Sequence, residues 1–293
     1  MKGGDNVNQE YKMTIPKYKI IEIYNSEYLK GMSMVELSKK YNVAPAYFSK
    51  WFKKLGLKPR TNKENSRRYN VNHNYFNSID TEDKAYWLGF IYADGYIMAR
   101  DNSRYVGIAI SSTDYNHLVK FNNNINSTYP IHTYIQTSGY SNNSEYCRLI
   151  VTSDNMYNDL VKQGVVEHKT NILKPPQLDY SLIRHFIRGY FDGDGSIWSC
   201  LNKNQNIPTY SISFLGTDEM LLYIMNYLLE NSLINREYKL NKRKETHIVS
   251  DFKFGGNQLV YKTLSHLYEN SNVYLDRKYN KYLELKQLVS SRS

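Results

Sequence analysis

The sequence predicts an α+β protein: two pseudosymmetric α-β-β-α-β-β-α units laid end to end behind a small all-α head. Three observations carry that expectation. Segments recur at an offset of about 100 residues, the recurring segments show helical and strand periodicities in the same order, and basic charge gathers at the N-terminal end.

Length and composition set the bounds. With 293 residues, 41% of them hydrophobic, the chain can bury the cores of two or three folding units. No apolar run approaches the roughly 20 residues that span a bilayer, and the first ten residues lack the apolar stretch of a signal peptide. The expected setting is therefore a cytoplasm, bacterial or of a phage-infected host cell, with no membrane partner. Cys147 and Cys200 have no metal-ligand spacing, so neither a zinc site nor a disulfide framework is expected. Residues 1–70 hold 15 Lys/Arg against 6 Asp/Glu, leaving 23 against 22 for the remainder of the +10 chain. The polyanion-binding charge belongs to the head, and the body is nearly neutral.

The head, residues 1–58, starts with a helix over Lys17–Lys30. In S-M-V-E-L-S-K-K-Y-N-V-A-P-A-Y-F-S-K-W-F (33–52), Leu37, Val43, Phe48 and Trp51 fall at the core positions of a helix-turn-helix, with Asn42 at the turn and Ser38 at the helix crossing. Pro45 suits the first turn of the second helix. Ala46, Tyr47, Ser49, Lys50 and Lys53 are left on the outer side, short and polar first and cationic later, as a helix that reads the DNA major groove requires. A helical hairpin used only for packing is the alternative. Residues 59–75 form a polar, basic linker without periodicity.

In the body, G-I-A-I-S-S-T-D-Y (107–115) matches S-I-S-F-L-G-T-D-E (211–219), an offset of 104, and the Asp94-Gly95 and Asp194-Gly195 pairs lie 100 apart. The segment 167–171 similarly matches 275–280. Two units follow, 76–174 and 175–293, joined near Pro175-Pro176. Each reads as an apolar helix (81–94; 180–194), a strand pair (96–111; 196–215), a helix opened by Thr-Asp (113–125; 217–231), a second strand pair (131–152; 236–254) and a closing helix (153–163; 256–269). Antiparallel sheets with helices on one side leave the other face open. Arg100, Arg104, Gln136, Lys203, Lys239, Lys242, Arg243 and Lys244 are available to line it, although a solvated hairpin tip accounts equally well for 242–244.

The chemistry centres on Y-W-L-G-F-I-Y-A-D-G-Y-I (86–97) and H-F-I-R-G-Y-F-D-G-D-G-S-I (185–197). Gly89 and Gly189 each cost a helix interior about 1 kcal/mol relative to Ala, which close packing of two helix backbones would offset. Such packing brings Asp94 and Asp194 together at the negative helix ends, with Gly95 and Gly195 suited to a left-handed cap. Two carboxylates there repel unless a cation joins them, and oxygen donors of this kind suit Mg²⁺. A calcium loop of the EF-hand type at D-G-D-G-S is excluded, because Lys203 occupies the twelfth position.

At these residues the sequence resembles the LAGLIDADG homing endonucleases: W-L-G-F-I-Y-A-D-G (87–95) and I-R-G-Y-F-D-G-D-G (187–195) both match the nine-residue motif. The resemblance covers about residues 76–285. It implies the single-chain, two-motif type: a monomer whose two sheets form a DNA-binding saddle on a long, non-palindromic duplex target. It further implies that Asp94 and Asp194 are metal ligands for Mg²⁺ or Mn²⁺, with Ca²⁺ binding but not supporting cleavage, and that the product is a double-strand break. A basic residue near the cleavage centre on the last strand of the repeat is also implied, Lys253 in the second copy. The first copy has Ile150 in register and Arg148 two residues earlier. A non-catalytic DNA-binding regulator and an intron RNA maturase are the alternatives on this fold.

Overall fold

In a computed structural model that describes residues 15–44, 46–61, 69–137, 144–167, 173–202, 207–242 and 249–291, the chain divides into two units, Met1–Tyr69 and Asn70–Ser293. No described helix is long and apolar enough to cross a membrane.

The first unit contains α1 (Lys17–Ile23), which runs into a π-turn (Tyr24–Tyr28), then α2 (Met34–Lys40) and α3 (Tyr47–Lys54). A capping box starts α2: Glu36 N donates to Ser33 Oγ while Ser33 N donates to Glu36 Oε2. Asn42 turns the chain with φ +47°. Leu37, Val43 and Phe48 are core residues, and Ser38 is buried with its hydroxyl donating to Met34 O. Trp51, expected in the core, is only half-buried, and Phe52 takes its place because Phe48 and Phe52 share one face of α3 at i and i+4. Tyr47 also departs from expectation: it is half-buried, and its hydroxyl accepts from Ile15 N at 2.8 Å. Ala46, Ser49, Lys50 and Lys53 are exposed, while Pro45 lies outside the described residues. Arg60 donates to Met32 O, and its guanidinium lies 4.2 Å from the Tyr28 ring centroid, so the head's packing continues past residue 58.

The second unit begins with Asn70, whose N donates to Thr128 Oγ1, and Asn72, whose N donates to Ile125 O. Both ends of the 59–75 stretch are thus packed against folded structure. The first copy then runs α4 (Glu82–Ala93), β1 (Gly95–Arg100), β2 (Ser103–Ser111), a 3₁₀ turn (Ser112–Asp114), α5 (Tyr115–Asn124), β3 (Ile131–Ile135), β4 (Glu145–Thr152) and α6 (Asp154–Lys162). The second runs α7 (Tyr180–Asp194), β5 (Ser196–Asn202), β6 (Ile207–Thr217), α8 (Asp218–Glu230), β7 (Asn241–Lys242), β8 (Val249–Gly255) and α9 (Asn257–Tyr268). A further helix, α10 (Asp276–Ser290), was not expected from the repeat. The sheets have equivalent orders, β1-β2-β4-β3 and β5-β6-β8-β7, with every pairing antiparallel. Thr217 caps α8, its side chain accepting from Met220 N, whereas Thr113 sits inside the 3₁₀ turn.

One face of each sheet is buried under the helices. Val106, Ile108 and Ile110 of β2 point inward with Cys147, Leu149 and Val151 of β4, and Tyr210, Ile212 and Phe214 of β6 do the same with Phe252 and Phe254 of β8. Between the sheets' helices sit α4 and α7, each buried over eight consecutive residues, Ala85–Tyr92 and His185–Asp192. Burial all round is what α4, apolar without a polar stripe, requires, whereas α7 also buries a polar line of His185, Arg188 and Asp192.

The two helices run parallel in backbone contact. A Cβ on Gly89 would collide with Phe186 O, and one on Gly189 with Tyr86 O. Gly95 and Gly195 do not adopt the left-handed cap expected of them; neither has a positive φ, and Gly195 is extended at φ −83°, ψ 166°. Their need for glycine is steric, since the chain folds back so tightly that a Cβ would lie 2.7 Å from Ile91 Cα in the first copy and 2.5 Å from Phe191 O in the second.

Gly189→Ala tests this packing against helix propensity. Propensity alone favours alanine by about 1 kcal/mol, whereas overpacking against a backbone carbonyl costs about 1–3 kcal/mol or more. A lower unfolding midpoint in urea is expected, and a raised one would show that the helices have room to separate.

Candidate active site

Parallel packing delivers the ends of α4 and α7 to one place. Asp94 caps α4, and Asp194 is the last residue of α7. The approach persists to the termini: a Cβ on Gly193 would collide with Ala93 Cβ and stand 3.4 Å from Asp94 Oδ2. The Asp94 carboxylate therefore lies against the backbone one residue before Asp194. A cavity of about 160 Å³ opens beside Asp194, lined in part by Tyr92, Tyr190, Gly216 and Thr217.

The cation that sequence reasoning missed is Lys278, in the first turn of α10. It is 2% exposed, and its Nζ donates to Phe191 O and Gly195 O at 2.5 Å and to Asp192 O at 2.8 Å, with Gly193 O at 3.5 Å. An ammonium thus occupies the negative end of α7, where unpaired carbonyls need donors. Burial pushes Lys278 down to about 8; Asp192 opposes that shift, Arg277 adds to it, and Asp94 and Asp194 both hold the charge up. Lys278 senses both carboxylates at once. The signal for it was present in the match of 275–280 to 167–171, but nothing in that pattern indicated where the lysine would point.

A buried polar network holds Lys278 in place. Asp192, fully buried, accepts from Tyr268 OH (2.5 Å), Tyr86 OH (2.7 Å) and Leu275 N (2.8 Å), the last fixing the start of α10. Burial raises the Asp192 carboxyl above its ordinary range, and Lys278 and the two tyrosine hydroxyls oppose the shift. Arg188, also fully buried, donates to Val273 O, Leu267 O and Glu82 Oε1, and Asn272 N donates to the same Glu82 oxygen. Lys120–Asp276 (2.6 Å) and Arg277–Asp114 (2.9 Å) bind the segment to the first copy. His117 closes the network. Tyr86 gives its one proton to Asp192, so His117 Nε2, 3.1 Å away, is the donor to Tyr86.

The open faces are rich in tyrosine and serine. Lys253 lies on one, exposed, opposite Ser213, which in turn pairs with Ser196 two residues after Asp194. The equivalent row in the first copy is Tyr96–Gly107–Ile150, so Ile150 holds the position of Lys253. Arg148 is exposed opposite Ala109 and His132, its guanidinium 5.2 Å from the Tyr134 ring centroid. Arg100 shares the open face with Tyr96 and Met98.

Two expected open-face cations lie elsewhere. Arg104 has the same parity as Val106 and Ile108, so it points to the helix side and stacks 5.5 Å from the Tyr157 ring of α6. Lys242 pairs with Ser250, an inward residue, and reaches Asp218 at 3.8 Å. A shift of one residue along a strand reverses the face, which is why charge alone misplaced both. Gln136 follows the end of β3 and its N donates to Ser144 O. Lys239 is exposed in irregular chain just before β7 rather than in a strand. Lys203, Arg243 and Lys244 lie outside the described residues.

These features define a class: a single chain in which two copies of one unit bring matched acidic helix ends together beside two antiparallel sheets. Residues 181–281, within the second copy, match the sequence model of the LAGLIDADG-like domain. No curated protein matches the chain in sequence. Among solved structures it is similar to the LAGLIDADG homing endonuclease I-GzeII in complex with DNA target, with 11% identity and a TM-score of 0.49 over 73% of this chain and 90% of that one. I-SmaMI bound to cleaved DNA shows 12% identity and a TM-score of 0.49, covering 72% and 89% of the two chains. I-LtrWI bound to target DNA shows 10% and 0.48, covering 75% and 92%.

Two measurements probe this network. Lys278→Met leaves buried carbonyls without their donor, at about 1–3 kcal/mol for each group not rescued by water, so a stability loss of about 3 kcal/mol or more is expected in urea denaturation. His117 supplies a pH signature. Burial first, and Lys120 next, lower its pKa from 6.5 to about 3. Between those values the unfolded chain binds the extra proton, so stability falls as pH drops below 6.5, by about 2 kcal/mol from this group at pH 5. His117→Leu should flatten that part of the stability–pH curve.

Proposed function

We propose that residues 70–293 form a site-specific homing endonuclease that makes a double-strand break in a long, non-palindromic duplex by divalent-metal-dependent phosphodiester hydrolysis, acting as a monomer. The observation that carries this reading is the convergence of Asp94 and Asp194, one from each copy, at the ends of two glycine-packed helices. The LAGLIDADG-like match over 181–281 supports it, as does the presence of the motif in both copies.

The donors fit Mg²⁺. All are hard oxygens, and among the described residues no group of three or more His, Cys, Asp or Glu side chains gathers into a metal cage. Mg²⁺ is commonly held by one or two carboxylates, with water and substrate phosphate completing its shell. Asp94 and Asp194 would hold it, with Mn²⁺ an alternative and Ca²⁺ expected to bind without supporting cleavage. Bound there, such an ion lowers the pKa of an attacking water and stabilises the leaving oxygen.

The chain's own residues do the rest. Gly89, Gly189 and Gly193 keep the helix ends close enough for two carboxylates to act on one scissile region. Lys278 stabilises the α7 terminus that carries Asp194 and offsets negative charge before the polyanion arrives. Lys253 and Arg148, on the open faces, are placed to meet backbone phosphates, with Arg100 farther along the first sheet. Tyrosine and serine hydroxyls supply neutral donors for a face that carries little net charge.

Cleavage of a randomised duplex library in Mg²⁺ tests the reading, comparing the native chain with Asp94→Asn and Asp194→Asn. Each substitution should slow cleavage by about a hundredfold or more, as losses around a catalytic metal do. Cleavage that persists in both variants would overturn the chemistry. Tight binding by the native chain without cleavage would make it a regulator, and a preference for structured RNA would make it a maturase.

A further inference from the structure

Within the head, α3 carries its charge on one side. The head's described acidic side chains are all engaged within the unit: Glu22 with Lys19 (2.7 Å), Glu27 with Tyr41 OH (2.6 Å) and Lys40 (3.0 Å), and Glu36 in the cap of α2. From Leu37 to Lys63 the sequence has eight Lys/Arg and no Asp or Glu. On α3, Lys50, Lys53 and Lys54 are exposed while Phe48 and Phe52 are fully buried on the opposite side. Ala46 and Ser49 are exposed before them and are small enough for the helix backbone to come close to a flat or grooved surface.

What this face lacks is equally informative. Base edges are read chiefly by Arg or Lys at guanine and by the bidentate amides of Asn and Gln at adenine; of these α3 (Y-F-S-K-W-F-K-K) carries lysine alone, without the planar fork of Arg or an amide. The nearby guanidinium, Arg60, is engaged with Met32 O and the Tyr28 ring. Tyr47, the one aromatic donor expected to reach outward, is tied to Ile15. Lysine ammoniums remain, and they act as point charges that suit phosphates.

We propose that the head is a second contact for duplex DNA that grips the phosphate backbone through Lys50 and Lys53 of α3, adding affinity but no base preference. Because it is covalently joined to residues 70–293, it raises the local concentration of each unit at a site held by the other. The proposal goes beyond the endonuclease reading and needs none of its metal chemistry.

The test is binding of the full chain to a random-sequence duplex without Mg²⁺, over a range of KCl concentrations, for the native protein, Lys50→Gln/Lys53→Gln and Lys50→Arg/Lys53→Arg. Each phosphate contact contributes about 0.9 to the slope of log K against log salt, so the glutamine pair should lower the slope by about 1.8 and the arginine pair should restore it. Both side chains are exposed, so the unfolding midpoint should stay unchanged, which separates lost contacts from lost folding. Sequences enriched from a randomised duplex pool should be the same for the native chain and the glutamine variant. An unchanged slope would overturn the proposal, and so would a base motif that disappears with the two lysines. Failure of Asp94 and Asp194 to support cleavage would leave the slope change intact, so the two readings fail separately.

Discussion

The backbone contact between α4 and α7 is the constraint on which the second unit depends. Gly89 faces Phe186 O and Gly189 faces Tyr86 O, a reciprocal arrangement that only hydrogen at Cα permits. A side chain at either position would push the helices apart by the width of a methyl group, and the displacement would grow toward their ends. The separation of the two acidic termini is therefore set by four atoms several residues away. Gly193, facing Ala93, repeats the condition next to the carboxylates themselves.

Bringing those ends together creates an electrostatic problem that the fold solves from outside the two helices. Two helix termini and two carboxylates concentrate negative charge in one place. Lys278 enters from α10 and donates to the α7 carbonyls, at the cost of burying an ammonium. That cost is offset by Asp192, which also binds Leu275 N at the start of α10. Arg188 and Glu82 then fix the preceding loop, and Glu82 comes from the other copy. The polar network thus joins the two copies and fixes the start of the last helix, while Tyr282, Leu285 and Val289 bury its apolar side.

Much of this was legible before any coordinates. Element types and order in both copies followed from periodicity and from the recurrence near 100 residues, and the glycines and acidic residues of the two helices announced a close contact. The misplacements of Arg104, Lys242 and Trp51 share one cause, that strand and helix faces depend on register at single-residue precision. Arg104 and Lys242 are one residue out of phase with the open face. Trp51 and Phe52 exchange core and rim for the same reason on a helix, where adjacent positions differ by about 100°. Gly95 and Gly195 were correctly marked as special, yet a left-handed cap and a steric exclusion both call for glycine, and sequence does not separate them.

By itself the sequence determined that this protein is a duplicated α+β unit with a basic head and a matched pair of acidic helix ends, because local periodicity and repetition are properties of the chain. Only the tertiary structure decided which cation answers those acids. Lys278 lies 84 residues beyond Asp194, and no local pattern links them. Its role arises from the burial of α10's first turn against the end of α7, where a long-range contact converts an ordinary lysine into a helix cap.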